Sequence, residues 1–287
     1  MKDAPFTLSA FQKKYPDNNA CLDHLFKIRF PNSKCKECGK TGQFYKHPDR
    51  PCYACSCGRT QISPMNGTIF AHSSQDLKNW YIAIYLITQS RNGVSAMELT
   101  RHIPVSYKTA HRMFKLIREL MKDDPALMFG EVEADETMYG PRKKGKRGRG
   151  AAGKAIVFAT AQRGGHIRTA IVPNVKAETL IPHFQDHVAK GTKLLTDEFR
   201  TYRTVAKVMD MEHKTVNHKS RQYAKDGVHV NTLESFFGLV KRSISGTYHV
   251  VSPRYLGSYV SEFQWRRNYA GQSLFDLLLC RADWRHV

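Results

Sequence analysis

The chain has 287 residues, with 45 Lys and Arg against 25 Asp and Glu, a formal charge of +20. Such a basic excess points to a polyanionic partner, nucleic acid first, and 41% hydrophobic residues suffice for a proper core. The longest apolar run, Trp80 to Ile87, is about half a membrane span, and Met1-Lys-Asp-Ala-Pro-Phe lacks an apolar signal region. The expectation is a soluble cytoplasmic protein, nucleoid-associated, built of two or three modules.

In chain order, Phe11, Cys21, Leu22, Leu25, Phe26 and Ile28 predict a short amphipathic helix within residues 1–30, with Cys21 a buried small residue. Five of the seven cysteines then fall between Cys35 and Cys57. That crowding fits a metal cluster in a reducing compartment better than a disulfide framework. Cys35-Lys-Glu-Cys38-Gly39 has the two-residue gap that turns two thiolates toward one tetrahedral ion. Further on, Cys52, Cys55 and Cys57 offer three thiols for two places. Cys57-Gly58 repeats the Cys38-Gly39 knuckle, so Cys55 and Cys57 are favoured and Cys52 is the reserve. With strand-like Gln43-Phe-Tyr45 between the clusters, the segment spells a zinc ribbon holding one structural Zn²⁺.

Ser73 or Ser74 is expected to cap a helix whose stripe runs through Leu77, Trp80, Tyr81, Ile84, Tyr85 and Ile87, a core-packing pattern. Gly93 to His102 and Ser106 to Leu120 predict two helices with a tight break at Ile103-Pro104-Val105. The second opens on a Ser cap and is lined by Lys108, His111, Arg112 and Lys115, which reads as a DNA-binding helix-turn-helix; any short helical hairpin shares the outline.

Glu131-Val-Glu-Ala-Asp-Glu-Thr137 alternates Val132 and Ala134 with Glu131, Glu133 and Asp135, the period of a half-buried strand. The breaker Tyr139-Gly140-Pro141 puts Asp135 at or near its end. Taken alone this is a solvated acidic edge strand. Pro141 to Lys154 follows with seven basic residues in fourteen and no acidic one, among them Arg142, Lys143, Lys144, Lys146, Arg147 and Arg149. It is a solvated loop or an arm on a phosphate backbone. Ala155–Thr160 and His166–Val172 predict a hairpin joined at Arg163-Gly-Gly165, and Ala177 begins a helix to about Ala189. His183 and His187 share a face of it but, with no further ligand in view, read as ordinary histidines.

Thr192-Lys-Leu-Leu-Thr-Asp197 repeats the plan of an apolar strand ending in a carboxylate. In Asn231–Arg242, Leu233, Phe236, Phe237, Val240 and Ile244 form a buried helical stripe, while Glu234 and Lys241 share another face. Asn231 followed by Glu234 is also a capping-box pattern, so the glutamate has a bland reading. Ser252-Pro253 opens a long helix with Tyr255, Leu256, Tyr259, Val260 and Phe263 inward and Arg266-Arg267 outward.

The order strand-Asp, hairpin, helix, strand-Asp, helix-Glu resembles the ribonuclease-H or retroviral-integrase plan. The chain as a whole resembles bacterial insertion-sequence transposases of the zinc-ribbon DDE/K type, the ISXO-like group. The likeness is carried by the Cys ribbon, Gly67-Thr-Ile-Phe with Trp80, Tyr107-Lys-Thr-Ala, Glu133-Ala-Asp-Glu-Thr, Thr196-Asp-Glu, Asn231-Thr-Leu-Glu-Ser-Phe with Lys241-Arg242, Gly246-Thr-Tyr-His, Ser252, and Phe263 through Asn268. It implies a multidomain protein: an N-terminal helix and zinc ribbon over 1–70, a helix-turn-helix region over 71–128, and over 129–287 an α/β ribonuclease-H-like domain with a mixed five-stranded sheet and the basic insertion 141–154. It further implies Asp135, Asp197 and Glu234 as ligands of two Mg²⁺ or Mn²⁺ ions, with Lys241 as the accompanying basic residue and Lys241-Arg242 on DNA. The activity implied is 3′-end cleavage and strand transfer at terminal inverted repeats, by a homodimer or higher oligomer on DNA. A ribonuclease-H-like nuclease or resolvase would use the same triad without joining strands. A sequence-specific regulator would need only residues 1–130.

Overall fold

The computed structural model describes residues 6–122, 127–140, 154–216 and 230–282. The chain divides into two compact units, Met1–Leu120 with Gln272–Val287, and Met121–Gly271. The tail, grouped by the sequence reading with the carboxylate domain, thus belongs to the first unit.

In the first unit the single helix expected before residue 30 is two: α1 (Leu8–Lys14) and α2 (Asn18–Arg29). The break follows from local chemistry. Pro16 disfavours helical geometry before it, and Asp17 starts the next helix by accepting the Ala20 N–H at 2.8 Å. A three-stranded antiparallel sheet follows, β1 (Phe44–Lys46), β2 (Tyr53–Cys55) and β3 (Gln61–Ile62). Helix α3 (Leu77–Gln89) buries the predicted stripe, but neither Ser73 nor Ser74 caps it. Its Lys78 N–H donates to Asn18 of α2 at 2.8 Å, whereas Ser73 Oγ accepts from Trp80 Nε1 at 3.1 Å. Helices α4 (Ala96–His102) and α5 (Tyr107–Leu120) complete the order, capped by Ser95 and Ser106. The last helix, Leu274–Cys280, joins this unit because the Phe275 ring sits 5.4–5.9 Å from those of Phe6, Phe11, Tyr15 and Tyr81.

The second unit is built on the expected mixed five-stranded sheet. Its strands are β4 (Glu131–Tyr139), β5 (Ala155–Gln162), β6 (Ile167–Val172), β7 (Lys193–Asp197) and β8 (Glu212–Val216), in the order β6-β5-β4-β7-β8. The first three are antiparallel neighbours, and β4, β7 and β8 run parallel. Gly164, at φ +70°, makes the tight β5–β6 turn that an L side chain would strain.

Helices cover both faces, so β5 reads as a nearly continuous apolar run. On one face Val132, Ala134 and Phe158 pack with Leu180 and Phe184 of α6 (Ala177–His187) and Tyr202 and Val205 of α7 (Arg200–Val208). On the other, Val157, Ala159 and Ala161 meet Leu233, Phe236, Phe237 and Val240 of α8 (Asn231–Ser243) and Leu256, Val260 and Phe263 of α9 (Pro253–Asn268). Two expectations for α9 fail. Tyr255 is exposed, and Arg266 turns inward to the fully buried Glu262 at 2.8 Å, because an ionised carboxylate in the core requires a donor.

Phe184 is fully buried with its ring 5.7 Å from that of Phe158. Phe184→Ala is expected to cost the second unit about 3–5 kcal/mol, read by urea denaturation, without altering the cysteine cluster.

Candidate metal centre and carboxylate site

Four of the cysteines gather into a group that could hold a metal ion. Cys35, Cys38, Cys55 and Cys57 place their sulfurs within 4.8 Å of one another. Cys35 and Cys57 are 3.7 Å apart, and Cys38 and Cys55 3.6 Å. A tetrahedral ion with metal–sulfur bonds of about 2.3 Å sets its thiolates about 3.8 Å apart, so these two pairs match the spacing of a Zn²⁺ site. The two knuckles are twins: Gly39 and Gly58 both take left-handed φ values, +70° and +73°, as their turns require. Cys52 is buried outside the group.

In the second unit the pairing of β4 with β7 sets the geometry. The parallel ladder matches Glu131 with Lys193, Val132 with Leu194 and Glu133 with Leu195, and stops there. Two residues beyond its end on each strand come Asp135 of β4 and Asp197 at the tip of β7, and the Asp197 charge is felt at Asp135. The expectation that Asp135 ends its own strand is corrected: β4 continues to Tyr139 against β5, with Asp135 opposite Ala159. What ends near Asp135 is its partner β7. Each aspartate is held by a nearby amide, Asp135 Oδ1 accepting from Glu136 N at 2.8 Å and Asp197 Oδ1 from Phe199 N at 3.0 Å.

Glu234 lies in the first turn of α8 and is exposed. The capping box does not form. Val230 is the N-cap without a side-chain bond, and Asn231 is already helical. The cap comes from across the sheet: Glu133, fully buried, accepts from the Thr232 and Leu233 amides at 3.1 and 3.4 Å. Glu234 is thereby released from capping, and its charge is felt at Asp135. Burial raises the Asp135 carboxyl to about 7, and the charges of Glu136, Asp197 and Glu234 push in the same direction. Lys241 and Arg242 are exposed at the far end of α8, Lys241 two turns from Glu234 on one face.

Three buried or half-buried carboxylates were not legible as such. Glu133 looked like the polar side of an edge strand, yet Arg163 Nε and Thr232 Oγ1 reach it at 3.4 and 3.0 Å. Glu136 accepts from the buried Tyr202 hydroxyl at 2.6 Å, and burial together with Glu136 pushes that phenol far above its ordinary value. Glu262 receives Tyr248 and Arg266. The signal that could have pointed to Glu133 is the start of α8 itself, Val230-Asn231-Thr232, where no neighbouring side chain supplies a cap.

On α5, Lys108, Arg112 and Lys115 are exposed and His111 half-exposed, spaced one turn apart along one face. His183 and His187 line a polar cavity with Arg168, and burial lowers His187. The arm residues Arg142, Lys143, Lys144, Lys146, Arg147 and Arg149 lie outside the described residues. Among the described residues no helix is long and apolar enough to cross a membrane.

The sequence model of the ISXO2-like transposase domain matches residues 128–268. A protein of Halobacterium salinarum, described as an uncharacterized protein in transposable element ISH50, is 34% identical over 233 residues, 75% of this chain and 78% of its own length. The chain belongs to the ISXO2-like insertion-sequence transposases. In this transposase-family chain the matched domain holds Asp135, Asp197, Glu234 and Lys241, and the 233-residue likeness extends beyond it. An uncharacterized transposase-like protein of Haemophilus influenzae is 29% identical over 102 residues, 36% of this chain and 80% of its own. A chain in the cryo-EM structure of a simian T-cell lymphotropic virus intasome with the PP2A regulatory subunit B56 gamma shares 8% identity at a TM-score of 0.31, covering 63% of this chain and 64% of that one, too weak a likeness to carry an argument.

Two outcomes are expected. Cys57→Ser should lose bound zinc while Cys52→Ser retains one equivalent, by elemental analysis of protein purified without chelator. Asp135, with its folded value above the ordinary one of 3.8, favours folding when protonated; that contribution is full below about pH 4 and lost as pH rises through about 7. Asp135→Asn should therefore stabilise the magnesium-free protein by on the order of 2–4 kcal/mol at pH 8 and by about nothing at pH 4, read from urea midpoints.

Proposed function

We propose that the protein is a DNA transposase that binds the terminal inverted repeats of its element, cleaves their 3′ ends and transfers them into target DNA. The observation that supports this reading is that Asp135 and Asp197 each follow the end of the β4–β7 ladder by two residues, with the charges of Asp197 and Glu234 both felt at Asp135. The donor set fits a hard divalent cation: three carboxylates, one of which, Asp135, is kept protonated to near neutrality by burial, with its acidic neighbours adding to the effect. Bound there, a pair of Mg²⁺ or Mn²⁺ ions supplies Lewis acidity to the attacking and leaving oxygens of an in-line displacement at phosphorus.

The side chains have distinct tasks. Asp135, Asp197 and Glu234 hold the metal ions, and the amides at Glu136 and Phe199 fix the two aspartate rotamers. Lys241, on the Glu234 face of α8, holds a DNA phosphate beside the site. Helices α4 and α5 act as a helix-turn-helix, with Lys108, His111, Arg112 and Lys115 reading base edges. The 141–154 arm grips phosphates without regard to sequence. The zinc-loaded ribbon stiffens the end-binding module, and pairing of two ends calls for a dimer or larger assembly.

In a strand-transfer assay with Mg²⁺ and the element's ends, Asp197→Asn and Glu234→Gln should each lower nicking and joining by at least about 10³-fold while end binding stays intact. A folded, fully active Glu234→Gln would remove that residue from the triad. Nicking without joining by the wild type would instead mark a nuclease. Arg112→Ala should reduce discrimination between end and random DNA, whereas neutralising Arg142, Lys143 and Lys144 should weaken both alike and flatten the salt dependence.

A further inference from the structure

Glu133 has no exposed surface (0%) and lies on the same face of β4 as Asp135. A carboxylate is tolerated in such a place only when donors replace its water. Four do: the Thr232 amide at 3.1 Å, the Leu233 amide at 3.4 Å, Thr232 Oγ1 at 3.0 Å and Arg163 Nε at 3.4 Å. The two amides belong to the first turn of α8, whose own N-cap, Val230, offers no side-chain acceptor. The partial positive charge of that turn adds to the attraction. A residue of the central strand thus pins the start of a helix a hundred positions away in sequence.

The location of the clamp matters more than its strength. Along β4 it lies two residues from Asp135, about 6.6 Å of rigid strand. Along α8 it grips Thr232, two residues from Glu234. The Glu133 contact therefore links the first and third carboxylates through short, regular backbone on either side, alongside the apolar packing of Leu233 beside it.

We infer that Glu133 is a positioning residue that seats Glu234 toward Asp135 and so completes the carboxylate site, an inference that rests on the triad proposed above. Glu133 touches neither DNA nor metal. It acts through α8, as residues that orient metal ligands do elsewhere.

The test compares Glu133→Gln, which keeps the shape and loses the charge, with Thr232→Val, which removes the hydroxyl bond and keeps both amides. In the magnesium-free protein, amide exchange at Thr232 and Leu233 should accelerate at least about tenfold in Glu133→Gln. Its nicking rate at saturating end DNA should fall about 10–100-fold, and its Mn²⁺ affinity, titrated directly, should weaken by a similar factor. End-DNA affinity should stay within about twofold, a separation of rate from binding that a general loss of structure would not give. Thr232→Val should move each quantity the same way by about two- to fivefold, and it carries the test if Glu133→Gln does not fold. Unchanged exchange, or a rate loss with unchanged Mn²⁺ affinity, overturns the inference. Glu234→Gln is run alongside: if it is inactive while Glu133→Gln matches wild type, only this inference falls; if it is fully active, the triad itself falls and takes the inference with it.

Discussion

Everything in the second unit depends on where the parallel ladder between β4 and β7 stops. Backbone pairing ends at Glu133 and Leu195, so the residues just beyond are held by strands on one side and not closed over by further sheet. Like charges can be placed there because the backbone and the two apolar faces beneath them carry the folding free energy. Val132 and Ala134 sit in one core, and Val157, Ala159 and Ala161 in the other. Burial, with the charges of Glu136, Asp197 and Glu234 adding to it, leaves Asp135 a carboxyl that keeps its proton to about pH 7. Such a site is held together by the fold against its own electrostatics.

Buried charge is handled in a consistent way across that unit. Glu133 is matched by amides, a hydroxyl and Arg163; Glu136 by the Tyr202 hydroxyl; Glu262 by Tyr248 and Arg266. The first two tie elements distant in sequence, β4 to α8 and β4 to α7, and the third joins the turn after α8 to the neighbouring α9.

The first unit solves a different problem. Its three-stranded sheet is too small for a core of its own, and two Cys-Gly turns bring four cysteine sulfurs together where a metal ion could bind and supply a constraint. The aromatic cluster of Phe11, Tyr15, Tyr81 and Phe275 then gathers the N-terminal helices and the C-terminal one into a shared core.

By itself the sequence determined the features that are local. The Cys-Gly repeat singled out Cys35, Cys38, Cys55 and Cys57, because metal-ligand turns are written in a few consecutive residues. Alternation announced β4 and β5, and the stripe of Leu233, Phe236, Phe237 and Val240 announced α8, because periodicity needs no partner. What the sequence left open was whatever a distant partner decides. Whether Glu234 caps its own helix depended on Glu133, a hundred residues away, doing so instead. Whether Asp135 ends a strand depended on β7 being shorter than β5. Whether Leu274–Cys280 joined the last unit or the first depended on which aromatic cluster could bury Phe275. Burial of a polar side chain and termination of a ladder are properties of pairs, and only the tertiary structure brings the pairs together.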